Sequence, residues 1–287
     1  MRFITYIENG KYIPAVLSKN GKHAKPFSAL GIKYASVLDA VKANAAFEIT
    51  DFDDGLEVSH LKLTAPIPFP SQDIICLGIN YLAHAEESAR YKKEAFERER
   101  EYPVYFSKRV TEAVGTGSSI SLHKNLTERV DYESELAFVI SKDALNVKRE
   151  DTYSYVYGYT VINDVSARDV QTRHKQWYFG KSLDGFTSMG PCLVTGDEIG
   201  NPENLFVKSY VNGELRQNSN TSLMVFDIPH VIEELSSGMT LKAGTIVSMG
   251  TPAGVGMGFD PPKFLKNGDE VICEVENIGK LINTFIE

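Results

Sequence analysis

The sequence lacks several features that would assign a protein to a specialised class. Its 287 residues include only three cysteines, which are far apart and form no CxxC pair or Cys/His cluster. A disulfide framework or zinc finger is therefore not expected, and the cysteines are interpreted as buried structural thiols. No apolar run approaches the roughly 18 residues that cross a bilayer, and the first residues do not resemble a signal peptide. A cytoplasmic location without membrane contact is expected.

The chain also has fewer basic than acidic residues. The chain has 30 lysines and arginines against 38 aspartates and glutamates, which gives a net charge of −8. Non-specific binding of nucleic acid requires excess positive charge to neutralise phosphates, so no nucleic-acid partner is expected. A small anionic substrate is not excluded, because the local charge of a cleft can outweigh the global sum.

The first 68 residues contain local signals for a small structural unit. Two short apolar segments flank Asn9-Gly10, a dipeptide that strongly favours a two-residue hairpin turn. Ser36 is suited to cap a helix over residues 36–46, where apolar side chains recur with helical spacing. These patterns predict a small N-terminal α/β domain over residues 1–68.

A proline-rich segment separates this unit from the rest of the chain. Pro66, Pro68 and Pro70 occupy alternate positions, which excludes a helix or a central strand and predicts a linker. Residues 69–287 then alternate short strands with turns and include few helices. This pattern predicts a β-rich α+β fold and a second, larger domain over residues 69–287.

The most informative stretch is VDYESELAFVIS, residues 130–141. Alternate side chains of a strand point to the same side, so Glu133 and Glu135 share one face of a strand predicted over residues 133–140. The strand is otherwise apolar on both faces, which predicts burial, and two buried like charges repel each other. A bound divalent cation would remove that repulsion. The alternative is that both glutamates reach solvent where the strand begins.

A third acid strengthens the metal hypothesis. Asp164 follows another apolar strand, predicted over residues 159–162 in the segment GYTVINDVSARD. Ligands that are all oxygen atoms suit Mg²⁺ or Mn²⁺ better than zinc or copper, and no two histidines have HxH or HxxxH spacing. The residues therefore favour a magnesium or manganese site at Glu133, Glu135 and Asp164.

A histidine and a glutamate lie close together near the start of a polar helix predicted over residues 82–101. His84 and Glu87 are three residues apart, so their side chains can touch. Glu87 would fix the tautomer of His84 while the other ring nitrogen accepts a proton; otherwise His84 is an exposed or capping residue. The charged run over residues 86–101 is interpreted either as a solvated helix or as a mobile lid over bound substrate.

Seven sequence blocks, taken in order, resemble the fumarylacetoacetate hydrolase family over residues 73–287. These blocks are CLGINYLAHAEE, VDYESELAFVI, GYTVINDVSARDVQ, QWYFGKSLDGF, MGPCLVT, VNGELRQ and GTPAGVG. The resemblance implies a mixed β-sandwich roll, and residues 1–68 resemble the variable N-terminal domain that many bacterial members carry. It also implies a homodimer.

The same resemblance implies roles for individual residues. Family members bind Mg²⁺, Mn²⁺ or sometimes Ca²⁺, and the matching ligands are Glu133, Glu135 and Asp164. The implied catalytic residues are His84, Glu87 and Lys181. The expected substrate contacts are Arg168, Gln171 and Thr251.

The resemblance also narrows the expected chemistry to small 2-oxo acids. Some members add a metal carboxylate shortly before the catalytic histidine, but CLGIN contains no acid, so water is expected to complete the metal shell. The first hypothesis is hydrolysis of a carbon–carbon bond in an acylpyruvate-type 2,4-dioxo acid through a pyruvate enolate. The alternatives are decarboxylation of an oxaloacetate-type 2-oxo acid and isomerisation of a 2-hydroxy-dienedioate. An alternative of another class is a non-catalytic binding module that a metal stabilises.

Overall fold

The computed structural model describes residues 1–96 and 101–287. In these residues the β-strands are β1 (Arg2–Glu8), β2 (Lys11–Leu17), β3 (His23–Pro26), β4 (Leu56–Glu57), β5 (Lys62–Thr64), β6 (Ile74–Gly78), β7 (Val104–Lys108), β8 (Ser119–Ser121), β9 (Val130–Asp131), β10 (Ser134–Ile140), β11 (Val156–Asp164), β12 (Ser166–Ala167), β13 (Thr187–Thr195), β14 (Phe206–Val211), β15 (Glu214–Asn220), β16 (Ile246–Ser248), β17 (Glu270–Val275) and β18 (Gly279–Ile286). The α-helices are α1 (Val37–Lys42), α2 (Leu82–Lys92), α3 (Arg168–Arg173), α4 (Tyr178–Lys181), α5 (Gly196–Ile199) and α6 (Ile228–Gly238). Short 3₁₀ helices cover Phe27–Leu30, Val58–His60, Arg149–Tyr155, Thr221–Leu223 and Gly256–Gly258.

Most of these strands belong to two sheets. The larger sheet has the strand order β4-β3-β2-β1-β13-β11-β10-β16-β6-β7, with β5 also paired to β1. The smaller sheet has the order β15-β14-β17-β18-β8, and β9 pairs with β12 alone. Two pairs, β16 with β6 and β18 with β8, are parallel, while the other strand pairs of the described residues are antiparallel. The prediction of a β-rich α+β fold with mixed sheets is confirmed.

Strand β10 lies at the centre of the molecule and is buried on both faces. Leu136 and Phe138 belong to a core cluster that also contains side chains of β14, β17 and β18 from the smaller sheet. Ala137 and Val139 point to the opposite face and belong to a second core cluster. This alternation explains why the strand is apolar at successive positions, as the sequence pattern predicted.

The local signals in the first 68 residues produce the predicted elements. Asn9 and Gly10 have φ angles of 50° and 74°, as a two-residue hairpin turn between β1 and β2 requires. Ser36 caps α1, since its hydroxyl accepts a backbone N–H of the first turn at 3.0 Å. The helix ends at Lys42, before the predicted end at 46, because Asn44 takes a left-handed φ of 46°.

Residues 1–68 share the larger sheet with the rest of the chain. Strand β1 pairs with β13 as well as β2, and Phe3 lies opposite Leu193. The proline segment forms neither helix nor strand, as predicted, but Pro66 and Pro68 are buried rather than exposed. The division of the chain into two domains at residue 68 stays a prediction.

The α-helices of the described residues are short. The longest, α2 and α6, have 11 residues each, and none in the described part of the chain is long and apolar enough to span a membrane. Helix α2 begins at Leu82 as predicted, but the predicted end at 101 is wrong, because Lys93 takes a left-handed φ of 57°. Residues 97–100 of the predicted lid lie outside the described residues.

Candidate active site

The pairing of β10 with β11 brings three acids together. Glu135 lies opposite Ile162 in the antiparallel register, so Glu133 and Asp164 face each other at the next such position. The backbone N–H of Asp164 donates to the carbonyl oxygen of Glu133 at 2.9 Å. One carboxylate oxygen from each of Glu133, Glu135 and Asp164 lies within 4.8 Å of the others, and all three residues are buried. The predicted convergence is therefore present, and the alternative of two solvent-exposed glutamates is wrong.

Two buried cations contact this acidic cluster. Lys181 Nζ lies 2.7 Å from Glu133 Oε2 and 2.6 Å from Asp164 Oδ2. Arg168 Nη2 lies 2.7 Å from Glu133 Oε1, and its Nε donates to Asp131 Oδ2 at 2.8 Å. Lys181 and Arg168 are 2% and 3% exposed, so these ion pairs are shielded from water. The resemblance had implied a catalytic Lys181 and a substrate contact at Arg168; the structure places both against the acids.

A third cation, Lys108, belongs to the same cluster and was missed by sequence reasoning. It is the last residue of β7 and is fully buried. Its Nζ donates to the carboxylate of Asp164 and to the carbonyl oxygen of Val165, the latter at 3.0 Å. A lysine that continues an apolar strand was the available signal.

The two glutamates of the cluster have opposite electrostatic environments. Burial alone would raise the pKa of Glu133, but the positive charges of Lys181 and Arg168 hold that pKa below its ordinary value. Burial, followed by the negative charges of Asp164 and Glu133, raises the pKa of Glu135 well above its ordinary value. Glu135 is therefore the acid whose charge the protein compensates least.

The composition of the cluster fits a hard divalent cation. Four buried acids meet three buried cations; the acids are Asp131, Glu133, Glu135 and Asp164, and the cations are Lys108, Arg168 and Lys181. The hydroxyl of Ser248 and the N–H of Gly250 donate to one oxygen of Glu135, at 2.5 and 3.1 Å, and so orient its carboxylate. An excess negative charge among convergent carboxylate oxygens suits Mg²⁺, Mn²⁺ or Ca²⁺. Glu133, Glu135 and Asp164 are the residues that would hold the ion.

The predicted contact between His84 and Glu87 is present at the start of α2. His84 Nδ1 lies 3.1 Å from Glu87 Oε2, and the two residues are 5% and 6% exposed. The carboxylate of Glu87 also accepts the N–H of Gly254 at 3.0 Å. A Cβ atom at Gly258 would lie 1.6 Å from Glu87 Oε1, so a side chain here would displace the Glu87 carboxylate. The histidine is thus held through Nδ1, which leaves Nε2 for proton transfer.

Most of the predicted site residues meet at one pocket. Seven of the nine line it, namely His84, Glu133, Glu135, Arg168, Gln171, Lys181 and Thr251. Trp177 also lines this pocket and packs edge-on against Phe106, with ring centroids 5.3 Å apart. Acids, a histidine and cations therefore face one common space, as expected of an active site.

Gln171 and Thr251 are positioned by neighbouring polar groups. The side-chain oxygen of Gln171 accepts from Arg168 Nη1 at 3.1 Å. The hydroxyl of Thr251 donates to the carbonyl oxygen of Ser134 at 3.0 Å and accepts from Gln217 Nε2 at 2.7 Å. Both residues reach the pocket, and their contact with substrate stays a prediction.

Asp131 is a second residue that sequence reasoning missed. Its carboxylate accepts the N–H of Gly256 at 2.6 Å and the N–H of Met257 at 3.0 Å, in addition to Arg168 Nε. Asp131 therefore links the backbone at Gly256 and Met257 to Arg168, which contacts Glu133. A Cβ atom at Gly256 would lie 2.6 Å from Asp131 Oδ1, so a side chain at this position would collide with that carboxylate.

Comparison with known proteins agrees with this fold. The family model described as Fumarylacetoacetate (FAA) hydrolase C-terminal matches residues 73–286. "Oxaloacetate tautomerase YisK" of Bacillus subtilis (strain 168) is 48% identical over 226 residues, which cover 79% of this chain and 73% of that protein. The solved structure of "Fumarylacetoacetate hydrolase (EaFAH)" from Exiguobacterium antarcticum is 36% identical, with a TM-score of 0.85 over 100% of this chain and 99% of that chain.

A further solved structure extends the range of related activities. It is that of a "probable 2-hydroxyhepta-2,4-diene-1,7-dioate isomerase" from Mycobacterium abscessus, which is 28% identical, with a TM-score of 0.81 over 100% of this chain and 98% of that chain. The names of these relatives are those of enzymes, and their substrates differ. What the two solved structures share with this chain is the fold. The chain belongs to the fumarylacetoacetate hydrolase family.

Proposed function

We propose that this protein catalyses proton transfer on a small 2-oxo acid and interconverts the keto and enol forms of oxaloacetate. The observation that carries the proposal is the His84–Glu87 pair, whose histidine lines one pocket with Glu133 and Glu135, two of the three convergent carboxylates. The name of the Bacillus subtilis relative, an oxaloacetate tautomerase at 48% identity, supports the same chemistry. Tautomerisation requires a positioned base and a stabilised enolate, and the pocket offers groups for both.

Glu133, Glu135 and Asp164 would hold Mg²⁺ or Mn²⁺, with Ca²⁺ as a further candidate. When bound, such an ion supplies positive charge beside the 2-oxo group and lowers the free energy of the enolate. Arg168, Gln171 and Thr251 line the same pocket and would orient the carboxylate next to the 2-oxo group. These contacts would hold the acid end of the substrate so that its third carbon faces the histidine.

His84 is proposed as the general base. Because Nδ1 is held by Glu87 at 3.1 Å, Nε2 accepts the proton from the third carbon of the substrate. The electron pair of the carbon–hydrogen bond forms a double bond between the second and third carbons, and the carbonyl double bond becomes a single bond. The 2-oxo oxygen takes up a proton from water and His84 releases its own to water, so the number of protons is unchanged. The ammonium of Lys181 adds positive charge beside the oxygen on which negative charge develops.

Hydrolysis of an acylpyruvate, the first hypothesis from the sequence, is the second candidate. It is favoured by the fold shared with the Exiguobacterium antarcticum hydrolase at 36% identity. In that reaction His84 would activate water, and the pyruvate enolate would leave after the carbon–carbon bond breaks. The comparisons give more support to the alternative of enol chemistry than to hydrolysis. Decarboxylation and isomerisation pass through a similar enolate, so the same residues would serve them.

A non-catalytic module is less well supported. A metal that only stabilised the fold would require no buried histidine–glutamate pair beside its ligands. The partner that the pocket suits is therefore a small 2-oxo acid. A homodimer and a cytoplasmic location stay predictions, and light scattering would test the first.

The test is a direct assay in which the loss of enol-oxaloacetate is monitored by its ultraviolet absorbance. The assay is run with Mg²⁺, with Mn²⁺ and with excess EDTA. His84→Ala should lower the enzymatic rate by roughly 100-fold or more, as expected for loss of a general base. His60→Ala is the matched control, because His60 also lies near a glutamate three residues away, Glu57 at 3.5 Å, but is 76% exposed.

Two results would count against the proposal. Faster release of pyruvate from an acylpyruvate than tautomerisation of oxaloacetate would make hydrolysis the main activity. A His84→Ala protein with full activity would show that the histidine is not the base. Retained Mg²⁺ binding in that variant, measured by calorimetry, is needed to attribute a loss of rate to the base itself.

A further inference from the structure

Helix α2 presents a regular row of side chains to the pocket. His84, Ser88 and Lys92 follow each other at intervals of four residues, and all three line the pocket. Side chains at this spacing lie on one face of a helix. With a rise of 1.5 Å per residue, Ser88 and Lys92 lie about 6 and 12 Å beyond His84 along the helix axis. Along the helix, the row therefore presents His84, which is the proposed base, then the hydroxyl of Ser88 and then the ammonium of Lys92.

Lys92 differs from the other cations of this pocket. Lys181 forms ion pairs with Glu133 and Asp164, and Arg168 forms ion pairs with Asp131 and the same Glu133. By contrast, within residues 1–96 and 101–287 no carboxylate forms an ion pair with Lys92. Among the described residues, Lys92 is thus the pocket cation that no carboxylate neutralises.

An aromatic wall runs between the two lysines of the pocket. Lys181 Nζ lies 5.1 Å from the ring centroid of Phe106, which packs edge-on against Trp177. Lys92 Nζ lies 5.7 Å from the ring centroid of Trp177. A Cβ atom at Gly78 would lie 2.2 Å from the Trp177 ring. The absence of a side chain at Gly78 therefore leaves room for the indole. The wall is apolar along its length and has a cation near each end, which suits a ligand with two anionic groups.

We infer that Lys92, together with the hydroxyl of Ser88, binds the second carboxylate of a dicarboxylic substrate. This inference rests on the proposed function, because the 2-oxo acid end is taken to lie at the acidic cluster beside His84. The ammonium of Lys92 and the hydroxyl of Ser88 both donate, and a carboxylate accepts from both. The flexible four-carbon stem of Lys92 allows its ammonium to move along the wall towards Ser88. The pocket therefore selects 2-oxo diacids over 2-oxo monoacids.

The test compares oxaloacetate with pyruvate, which share the 2-oxo acid end and differ by the second carboxylate. Lys92→Met removes the charge and keeps most of the apolar stem. Lys93→Met is the matched control, because Lys93 is the next residue, carries the same charge and is exposed outside the pocket. Binding is measured with saturating Mg²⁺ through the fluorescence of Trp177, the only tryptophan of the chain. Turnover is measured as oxaloacetate tautomerisation and as deuterium uptake by the methyl group of pyruvate.

Lys92→Met should weaken oxaloacetate binding and raise its KM by roughly 10-fold or more, as expected for loss of a hydrogen bond to a charged group. The binding of pyruvate should stay within about twofold, and Lys93→Met should match the wild type with both ligands. Ser88→Ala should weaken oxaloacetate binding by a smaller factor.

Either of two results overturns the inference: unchanged oxaloacetate binding in Lys92→Met, or an equal loss of affinity for both ligands. An equal loss would mean that Lys92 only supports the pocket wall. Because binding is read from fluorescence, it does not depend on turnover. If the wild type binds oxaloacetate but does not interconvert its tautomers, the proposed function is refuted. The binding data would still test the role of Lys92. Failure of the wild type to bind oxaloacetate would overturn both.

Discussion

Glu135 offers a direct test of the electrostatics of the acidic cluster. We predict that Glu135→Gln stabilises the protein in EDTA and removes the stabilisation that Mg²⁺ confers on the wild type. A glutamine keeps the acceptor oxygen that Ser248 and Gly250 use, and it adds an amide N–H₂ group next to Glu133 and Asp164. The substitution therefore exchanges a charge repulsion for hydrogen-bond donors at nearly constant volume.

The magnitude follows from the distances in the cluster. Two like charges 4.8 Å apart repel by about 3.5 kcal/mol at an effective dielectric constant of 20. Lys181 offsets part of this repulsion at Glu135. A net gain of about 1–3 kcal/mol is expected, which corresponds to a Tm increase of roughly 2–6 °C for a chain of this size. Mg²⁺ at 100 times its Kd should add about 2.7 kcal/mol to the wild type and much less to the variant.

The pH dependence provides an independent check in EDTA. The pKa of Glu135 is raised in the folded protein by burial and by the neighbouring acids. As pH rises above the ordinary carboxyl pKa, the unfolded chain loses this proton while the folded protein retains it, so the wild type loses stability. The advantage of Glu135→Gln should therefore grow with pH and level off once the raised pKa is passed. Below the ordinary pKa the two proteins should be equally stable.

Thermal unfolding by calorimetry, with EDTA and then over an Mg²⁺ titration, measures both effects. Glu86→Gln, an exposed substitution on α2, is the control for removing one acid from the surface. A Glu135→Gln protein that is less stable than the wild type in EDTA would refute the repulsion argument. A variant with the same Mg²⁺ response as the wild type would refute the assignment of Glu135 as a ligand.

The other predictions concern neighbouring groups. Gly258→Ala should displace the Glu87 carboxylate and lower activity roughly 10- to 100-fold. The Tm should change little, because the end of the Glu87 side chain can move. Kinetics and calorimetry would measure these effects, and an unchanged kcat would contradict the prediction. Lys108→Met should destabilise the protein by about 3–5 kcal/mol, since Asp164 and Val165 lose a buried partner; denaturant unfolding that gives under 1 kcal/mol would contradict it. Excess EDTA should abolish activity and Mg²⁺ or Mn²⁺ should restore it, so full activity after chelation and dialysis would count against a metal enzyme.

The parts of the site that could be predicted from sequence have local signatures. The alternation of side chains along a strand placed Glu133 and Glu135 on one face, and helical spacing placed His84 beside Glu87. Asp164 could be added because it ends a second apolar strand and because its block resembles the family. Each of these inferences depends on residues that are close in the chain.

The parts that were missed depend on contacts between distant segments. Lys108 meets Asp164 across 56 positions, and a single lysine at the end of a strand carries no periodic signal. Asp131 was visible in the block VDYESE, but its partners lie on a loop 125 and 126 residues later. The end of α2 was misjudged because a charged run is compatible with helix, and the backbone conformation of Lys93 stops it.

The pairing of β1 with β13 has a consequence for any attempt to shorten the chain. Removal of residues 1–68 would leave β13 without its strand partner at Leu193 and Val194, as a free edge able to recruit strands from other molecules. That edge is one strand away from β11, which carries Asp164, so disorder there would reach a proposed metal ligand. The N-terminal segment thus covers this edge of the larger sheet, and a truncated protein would be prone to aggregation.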